Sequence, residues 1–307
     1  MSSPPILPEN FARTQLSLRG EAGLAWLSCL PALTEEVTRR WSLRVEAPFP
    51  NLTYNWVAPA LRKDGEPAVL KMSPPEDKEF RTEAAALAAF GGRGICRLLE
   101  CDLGRGAMLL ERLRPGMPLT DVGDDEEATA AAAGVMKKLW RPPPPGHEFP
   151  AVADWAEGFA RLRQRYGGGT GPMPERLVRE AERLLEELIL SEGEPLLLHG
   201  DLHQGNILSA GRGPWLAIDP KGVVGEAAYD TAALLHNPAG TLEAPNPRWL
   251  LEQRLDVLSG ELGLDRARVR AWGLAQAVLS AYWSLEDGGR VWEGALGFAS
   301  LLAGMRD

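Results

Sequence analysis

The chain has 307 residues, of which 45% are hydrophobic and 24% charged, a composition typical of a globular protein with an ample core. Lys and Arg number 33 against 42 Asp and Glu, and the net charge of −9 argues against a nucleic-acid-binding protein, whose binding face would be basic. The three cysteines have no metal-binding spacing, and neither a long apolar run nor a signal peptide is present, so we expect a cytoplasmic protein without a membrane segment.

The first 42 residues predict an arm followed by helix. Residues 1–10 hold three prolines and are expected to be extended. Over residues 21–41 the apolar side chains recur at helical spacing. Pro31 is expected at the first position of a second helix, where its missing N–H costs nothing.

Residues 43–113 predict a small β-rich domain, with a hairpin turn at 63–66. Lys71 closes an apolar strand, and Glu83 lies on the Ala-rich helix that follows. Taken alone, such a lysine is a surface residue. As part of a catalytic centre it needs an anionic partner, and Glu83 is preferred over Glu79, one helical turn earlier. The predicted strands are 43–47, 54–60, 68–72, 95–101 and 107–110.

Residues 114–307 predict a mainly helical domain. A stiff run of four prolines at 142–145 connects two of its helices. The Gly-rich segment 167–172 is expected to be flexible, either covering a substrate or forming an idle connection. Aromatic residues at helical spacing, Trp272, Tyr282, Trp283 and Trp292, are expected in the core. The predicted helices are 126–140, 152–166, 174–190, 231–236, 248–262, 265–285 and 290–305.

Between residues 196 and 230, polar residues follow two apolar runs. The first run ends at His199-Gly200-Asp201, with Asn206 five residues after Asp201, and the second ends at Asp219. This layout is typical of a kinase catalytic centre. Asp201 would accept the proton of the substrate hydroxyl, and Asn206 and Asp219 would supply the hard oxygen ligands that Mg²⁺ prefers.

A zinc site at His199 and His203 is the competing interpretation. Their spacing suits one helical face, but Gly200 and Asp201 between them predict a loop. No Glu follows the first His, as a zinc hydrolase helix requires. His199 is therefore expected to be a structural residue bonded to the backbone.

The segments HGDLHQGNIL and AIDPKGVVGEAAYD together resemble the aminoglycoside phosphotransferase family, in the branch of streptomycin 6-phosphotransferases and hydroxyurea-resistance kinases. The resemblance implies a bilobal protein-kinase-like fold of the α/β (α+β) class: an arm and helical element at 1–42, a small antiparallel-sheet lobe at 43–113 and a helical lobe at 114–307. It also implies that Lys71 holds the phosphates of ATP or another NTP, that the main chain near Glu111 and Leu113 binds adenine, and that Asp230 braces the catalytic loop.

The sequence departs from the kinase pattern at the phosphate loop. Residues 48–55 contain no glycine, and no P-loop motif occurs elsewhere. Backbone amides, Asn51 and Thr53 can still face the phosphates.

These features predict ATP- and Mg²⁺-dependent phosphorylation of a hydroxyl on a small, cationic, streptomycin-like molecule. A cation needs carboxylates, and Glu226, Asp154 and Glu157 are candidates, with Glu286 and Asp287 after them. Lys221 and Glu226 either contact the substrate or hold the loop. The alternatives are a metabolic kinase of the hydroxyurea, homoserine, choline or sugar type, or a non-catalytic nucleotide-binding protein. No oligomeric state is predicted.

Overall fold

The computed structural model describes residues 8–238 and 240–305, which form two compact units. The first contains the described residues up to Gly92 together with Cys96–Leu113, and the second contains Arg93–Ile95 and the described residues from Arg114 onward. Among the described helices, none is long and apolar enough to cross a membrane.

The first unit is built on a five-stranded antiparallel sheet in the order β1-β2-β3-β5-β4. The five predicted strands are confirmed within a few residues, and the predicted turn at 63–66 joins the second strand to the third. The central strand carries Lys71 opposite Val57 on one side and Met108 on the other. The strands are β1 (Arg44–Val45), β2 (Trp56–Leu61), β3 (Pro67–Met72), β4 (Leu98–Asp102) and β5 (Ala107–Glu111).

A long helix, α1 (Glu9–Arg40), precedes the sheet and corrects two expectations. The extended arm predicted at 1–10 is wrong at its end, because the helix begins at Glu9; residues 1–7 lie outside the described residues. Pro31 does not begin a second helix but lies inside α1. The break comes instead at Gly20, whose φ of 56° and ψ of −134° are open to glycine. Burial of the α1 apolar face outweighs the hydrogen bond that Pro31 cannot donate.

The core of the first unit lies between α1 and the sheet. Phe11 and Leu30 from the helix pack in one cluster with Trp56, Leu70 and Leu109 from the strands, all essentially inaccessible to solvent. The next helix, α2 (Lys78–Phe90), is capped by the Asp77 side chain and ends at Gly91 in the left-handed conformation.

The second unit is mainly helical, as predicted, around one long buried helix. Trp272 and Tyr282 on that helix lie in the core, whereas Trp283 and Trp292 are half-buried. The helix predicted at 231–236 is shorter, because a 3-10 turn over Ala227–Thr231 precedes it. The helices are α3 (Asp125–Leu139), α4 (Val152–Arg165), α5 (Glu175–Leu190), α6 (Ala232–Leu235), α7 (Pro247–Leu262), α8 (Arg266–Gly288) and α9 (Glu293–Ala303).

Side-chain hydrogen bonds hold the Gly-rich segment 167–172 in the structure, and its flexibility stays a prediction. The guanidinium of Arg163 donates to the Gly168 carbonyl at 3.1 Å and also pairs with Glu175 and Glu182. The buried Thr170 hydroxyl donates to the carbonyl of Met173 at 2.7 Å. These side-chain bonds fix a backbone that glycine alone would leave free.

Two small sheets complete the second unit and hold the predicted catalytic segment. One pairs β7 (Leu196–Leu198) with β10 (Val223–Gly225), and the other joins β6 (Pro115–Pro118), β8 (Ile207–Ala210) and β9 (Gly213–Ala217). All of these pairings are antiparallel.

Candidate active site

The β8–β9 hairpin brings Asn206 and Asp219 to one end of the same small sheet. Ile207 is paired with Ala217, so Asn206 enters the hairpin where Ile218 leaves it. The Ile218 N–H donates to the Asn206 carbonyl at 2.9 Å. Asn206 and Asp219, which flank the hairpin in the sequence, thus stand at adjacent strand ends, as their spacing predicted.

His199 links the loop that carries Asp201 to the segment that carries Asp219. Its Nε2–H donates to the Ile218 carbonyl at 2.8 Å, and its Nδ1 accepts from the Asp201 N–H at 3.2 Å. The carbonyl of His199 accepts from the N–H groups of Lys221 and Gly222. The ring is fully buried, and this burial lowers the pKa of His199 to about 4, so the imidazole is neutral near pH 7.

The zinc interpretation does not fit this arrangement. Both ring nitrogens of His199 already have protein partners, and the Nδ1 of His203 accepts from the Gly205 N–H at 3.1 Å. Within residues 8–238 and 240–305, no group of three or more His, Cys, Asp and Glu side chains could hold a metal ion. The structural role expected for His199 is the one its contacts show.

Asp230 accepts hydrogen bonds from the backbone of the loop that leads to Asp201. Its Oδ2 accepts from the His199 N–H at 3.1 Å and from the Trp140 indole at 3.0 Å, while its Oδ1 accepts from the Gly200 N–H at 2.7 Å. The side chain is 2% exposed. Burial raises the pKa of Asp230, and the three N–H donors oppose that rise. Trp140, ninety residues away in the chain, was not foreseen from the sequence.

Gly200 lets the loop pass close to an aromatic cluster. Its φ is 85°, and a Cβ there would lie 2.9 Å from Cη2 of Trp155 and 3.0 Å from a methyl of Val223. Trp155, on α4, also packs against Tyr229 and Trp283. Only glycine fits this position, and the Trp155 contact could not be read from the sequence.

Asn206 and Asp219 fit the requirements of a magnesium ion. The Asn206 Nδ2 donates to the carbonyl of Asp201 at 2.9 Å, which leaves the amide Oδ1 as the oxygen to meet a cation. Asp219 is exposed and has a φ of 57°, a conformation uncommon for a residue other than glycine and most often found at functional sites. Mg²⁺ typically takes one or two protein ligands and fills its octahedron with water and phosphate oxygens.

In the first unit, Lys71 and Glu83 form a buried ion pair. The Nζ lies 2.7 Å from Oε1 of Glu83, and the two side chains are only 4% and 8% exposed. The predicted pairing is therefore confirmed. Two buried charges of opposite sign give a lysine of fixed position, which suits an anionic ligand better than a mobile surface lysine does.

At the end of β5, Glu111 belongs to the sheet. Its N–H donates to the Arg97 carbonyl at 2.9 Å, and its side chain accepts from the Arg97 N–H at 3.0 Å. Leu113 is buried and is the last residue of the first unit. Binding of adenine by the main chain at these two residues stays a prediction.

Two of the carboxylates predicted for the substrate already have hydrogen-bond donors within the protein. Glu226 is 8% exposed and accepts hydrogen bonds from Nε of Arg268 at 2.7 Å and from the Trp272 indole. Asp154 accepts from the Ala151 N–H at 2.8 Å and thereby caps α4, whereas Glu157 is exposed on the same helix. Of the two roles considered for Glu226, its contacts with Arg268 and Trp272 favour the structural one.

The other acidic candidates lie at the end of α8. Glu286 pairs with Arg161 at 3.0 Å and accepts from the Tyr282 hydroxyl at 2.8 Å. Asp287 is exposed. The pairs at Glu226 and Glu286 use cations of the protein itself, so their charge is already compensated.

Comparisons with known proteins agree with this geometry. Residues 40–288 match the family model described as aminoglycoside/hydroxyurea antibiotic resistance kinase. The chain is 34% identical over 284 residues to a streptomycin 6-kinase of Streptomyces glaucescens, covering 92% of each chain. It is 36% identical over 295 residues to a hydroxyurea phosphotransferase of Kitasatospora aureofaciens, covering 92% of this chain and 81% of that one.

A solved structure supports the fold. The aminoglycoside phosphotransferase APH(4)-Ia, as a thermostable mutant in a ternary complex with ADP and hygromycin B, superposes with a TM-score of 0.61 at 15% identity, covering 88% of this chain and 96% of that one. The fold is protein-kinase-like, as the resemblance implied. The chain therefore belongs to the aminoglycoside/hydroxyurea antibiotic resistance kinase family and is a phosphotransferase.

Proposed function

We propose that this protein transfers the γ-phosphoryl group of ATP, in the presence of Mg²⁺, to a hydroxyl of a streptomycin-like aminoglycoside. The chemistry rests on one observation: His199 joins the segment of Asp201 to the segment of Asp219. The substrate rests on the identity of 34% with a streptomycin 6-kinase.

Each residue has a defined part in this reaction. Asp201 orients the acceptor hydroxyl and takes its proton as the oxygen attacks phosphorus. The bond between the γ-phosphorus and the β–γ bridging oxygen breaks, so that ADP leaves with the electron pair. Lys71, fixed by Glu83, neutralises charge on the α- and β-phosphates.

The metal would be held by Oδ1 of Asn206 and the carboxylate of Asp219. When bound, Mg²⁺ neutralises phosphate charge and orients the phosphates. The remaining contribution of the protein is positional: Asp230 and His199 hold the loop so that Asp201 and Asn206 keep a constant separation.

Hydroxyurea is the second candidate substrate, favoured by the identity of 36% with a hydroxyurea phosphotransferase. It is small and neutral, whereas streptomycin is large and carries two guanidinium groups. Of the acidic candidates, Glu226 and Glu286 are already paired with Arg268 and Arg161. Substrate charge therefore has to be tested directly.

The deciding experiment measures phosphate transfer from radiolabelled ATP to streptomycin, hydroxyurea, homoserine and choline, with and without Mg²⁺. The control is Asp201→Asn, which keeps the shape of the side chain and should lower turnover a hundredfold or more, on the order of a general-base contribution. A phosphorylated product from streptomycin supports the proposal. Transfer to hydroxyurea alone would mean that hydroxyurea, not an aminoglycoside, is the substrate. Near-normal turnover by Asp201→Asn would show that Asp201 is not the general base.

A further inference from the structure

A buried side chain of α1 holds the glycine-free loop 48–55. Gln15 is completely buried, and its Nε2 donates to the Tyr54 carbonyl at 3.0 Å and to the Thr53 carbonyl at 3.4 Å. Leu52 of the same loop belongs to the core cluster that contains Phe11 of α1. The loop is therefore fixed to α1 by both packing and hydrogen bonds.

The two bonds also decide which edge of each peptide faces α1. In a planar trans peptide, the carbonyl and the following N–H point in opposite directions. With the Thr53 and Tyr54 carbonyls drawn to Gln15, the N–H groups of Tyr54 and Asn55 point away from α1. A backbone segment that binds an anion needs this polarity, with its N–H groups toward the ligand and its carbonyls turned away.

Arg19 extends the same network to the start of α2. Its Nη1 donates to Oε1 of Gln15 at 2.5 Å, and its Nη2 lies 2.5 Å from Oδ2 of Asp77. The other carboxylate oxygen, Oδ1, accepts from the Phe80 N–H at 3.2 Å and so caps α2. The helix that begins there carries Glu83, the partner of Lys71.

Asp77 lies at the end of this network, and its carboxylate accepts hydrogen bonds from several groups. The Ser73 hydroxyl, two residues beyond Lys71 in the chain, donates to its Oδ2 at 3.0 Å. Burial raises the pKa of Asp77, but the Phe80 N–H, the Arg19 guanidinium and the Ser73 hydroxyl outweigh it and lower that pKa. The carboxylate is thus ionised and held by groups from α1, α2 and the end of β3.

The helix that carries Gln15 is packed into the core of the first unit. Phe11, one helical turn before Gln15, is fully buried and packs edge-on against Trp26 with ring centroids 6.0 Å apart. Apolar packing alone could be supplied by a methionine or leucine at position 15. What the amide of Gln15 adds is the orientation of two peptides and a link to Arg19.

We propose that Gln15, Arg19 and Asp77 are positioning residues of the nucleotide site. They turn the N–H groups of the glycine-free loop toward the phosphates of the nucleotide and couple that loop to the helix of Glu83. In a glycine-rich loop, backbone freedom allows the amides to face an anion; here a buried side chain imposes the same polarity. The inference rests on the proposed function, because it takes the anion to be the phosphates of ATP.

The test compares Gln15→Met, Arg19→Ala and Arg19→Lys with Arg13→Ala, an exposed arginine on the same helix. For each variant, kcat, the KM for ATP and the KM for the acceptor are measured, together with the melting temperature. Gln15→Met should raise the KM for ATP about tenfold, the scale of one or two hydrogen bonds, and leave the KM for the acceptor unchanged. Arg19→Lys should raise the KM for ATP less than Arg19→Ala does, and Arg13→Ala should match the wild type.

Hydrogen exchange over residues 48–55 gives a readout that does not need turnover. Exchange there should accelerate in Gln15→Met but not in Arg13→Ala. A folded Gln15→Met protein with an unchanged KM for ATP, or with both KM values raised equally, overturns the inference. If Gln15→Met does not fold, Gln15→Glu replaces the amide donor by an acceptor of the same shape. It should likewise raise the KM for ATP alone, and an unchanged KM for ATP in this variant overturns the inference.

The proposed function can fail separately. A wild-type protein that binds no ATP in a calorimetric titration would refute the proposed function and, with it, the assignment of phosphates as the ligand of the loop. Unchanged hydrogen exchange over residues 48–55 in Gln15→Met would overturn the positioning role whether or not ATP binds.

Discussion

The Nε2–H of His199 donates a hydrogen bond to the carbonyl of Ile218, 2.8 Å away, and this bond links the segment of Asp201 to the segment of Asp219. On one side of the ring lies Asp201, whose N–H is bonded to Nδ1; on the other, Ile218 precedes Asp219 directly. The neutral imidazole thus contributes, with the backbone bonds between these segments, to how the proposed base stands relative to the proposed metal ligand. Both bonds require the tautomer with its proton on Nε2.

Burial of histidines predicts an acid-sensitive fold. Burial lowers the pKa of His199 to about 4 and that of His236 to about 3. In the unfolded chain both titrate near 6.5, so below that pH the unfolded state binds protons that the folded state does not. The free energy of unfolding is therefore highest above about pH 6.5 and declines as the pH falls toward 4. His199 alone accounts for a loss of about 3 kcal/mol.

The measurement is the free energy of unfolding in urea at pH 8 and pH 5, for the wild type and for His236→Leu. The variant should lose less stability on acidification, because one buried imidazole has been removed. Its stability at pH 8 should be close to that of the wild type, since His236 Nδ1 has no hydrogen-bond partner. Identical pH dependence in the two proteins would contradict the prediction.

Removal of Asp230 should cost both stability and activity. Asp230→Ala leaves the buried N–H groups of His199 and Gly200 and the Trp140 indole without their acceptor, with a cost of about 3 kcal/mol or more. Trp140→Phe removes one donor and should cost about 1 kcal/mol while keeping most of the turnover. Trp249→Phe, at an exposed tryptophan on α7, is the control for loss of an indole. An Asp230→Ala protein of normal stability would show that the loop does not depend on this carboxylate.

The Lys71–Glu83 pair allows stability and nucleotide binding to be separated. Lys71→Met and Glu83→Leu, made singly, each leave one buried charge without its 2.7 Å partner and should destabilise the fold by about 3 kcal/mol. The double variant removes both charges and should recover much of this stability. It should still fail to bind ATP, because Lys71 is gone. A double-mutant cycle of unfolding free energies, with ATP titrations, checks both halves; ATP affinity restored along with stability would argue against contact of Lys71 with the phosphates.

Asp219 should show a trade between stability and function. Its φ of 57° strains any side chain, so Asp219→Gly is expected to stabilise the protein by about 1 kcal/mol. The same variant removes the charged metal ligand and should abolish Mg²⁺-dependent turnover. Asp219→Ala keeps the strain and loses the ligand, which makes it the matched control. Thermal unfolding of the two variants measures the strain, and an Mg²⁺ titration of turnover measures the loss of function. A Gly variant no more stable than the Ala variant would show that the strain is absent.

The sequence predicted those parts of the molecule that local pattern determines. The five strands follow from their apolar runs and the turns between them. The pairing of Lys71 with Glu83, twelve residues apart, follows from the kinase pattern, in which such a lysine needs an anionic partner. The helix break at Gly20 was missed because Pro31, the stronger local signal, is overruled by packing of α1.

Contacts between distant positions were out of reach of the sequence. Trp140 reaches Asp230 across 90 residues, and Gln15 reaches Tyr54 across 39. Neither partner has a local pattern that distinguishes it from other tryptophans or glutamines. The same limit explains why the sequence left Glu226 open between contacting a substrate and holding the loop: its partner Arg268 is 42 residues further on.

The contacts of Glu226 lead to a prediction that contrasts Glu226 with Glu157. Glu226→Gln keeps the shape of the side chain but removes the charge that Arg268 and the Trp272 indole share in a nearly buried site, so we expect a loss of about 2 kcal/mol of stability. The KM for the acceptor should not change, because the Glu226 carboxylate is directed to α8.

Glu157→Gln, on the exposed part of α4, should change stability by less than about 0.5 kcal/mol. If Glu157 binds a cationic acceptor, that variant raises the KM for streptomycin and reduces its salt dependence, while the KM for hydroxyurea stays constant. Steady-state kinetics at low and high ionic strength, with urea unfolding of both variants, distinguish the roles. A Glu226→Gln protein of normal stability with a raised acceptor KM would return Glu226 to the substrate site and reverse the assignment made from its contacts.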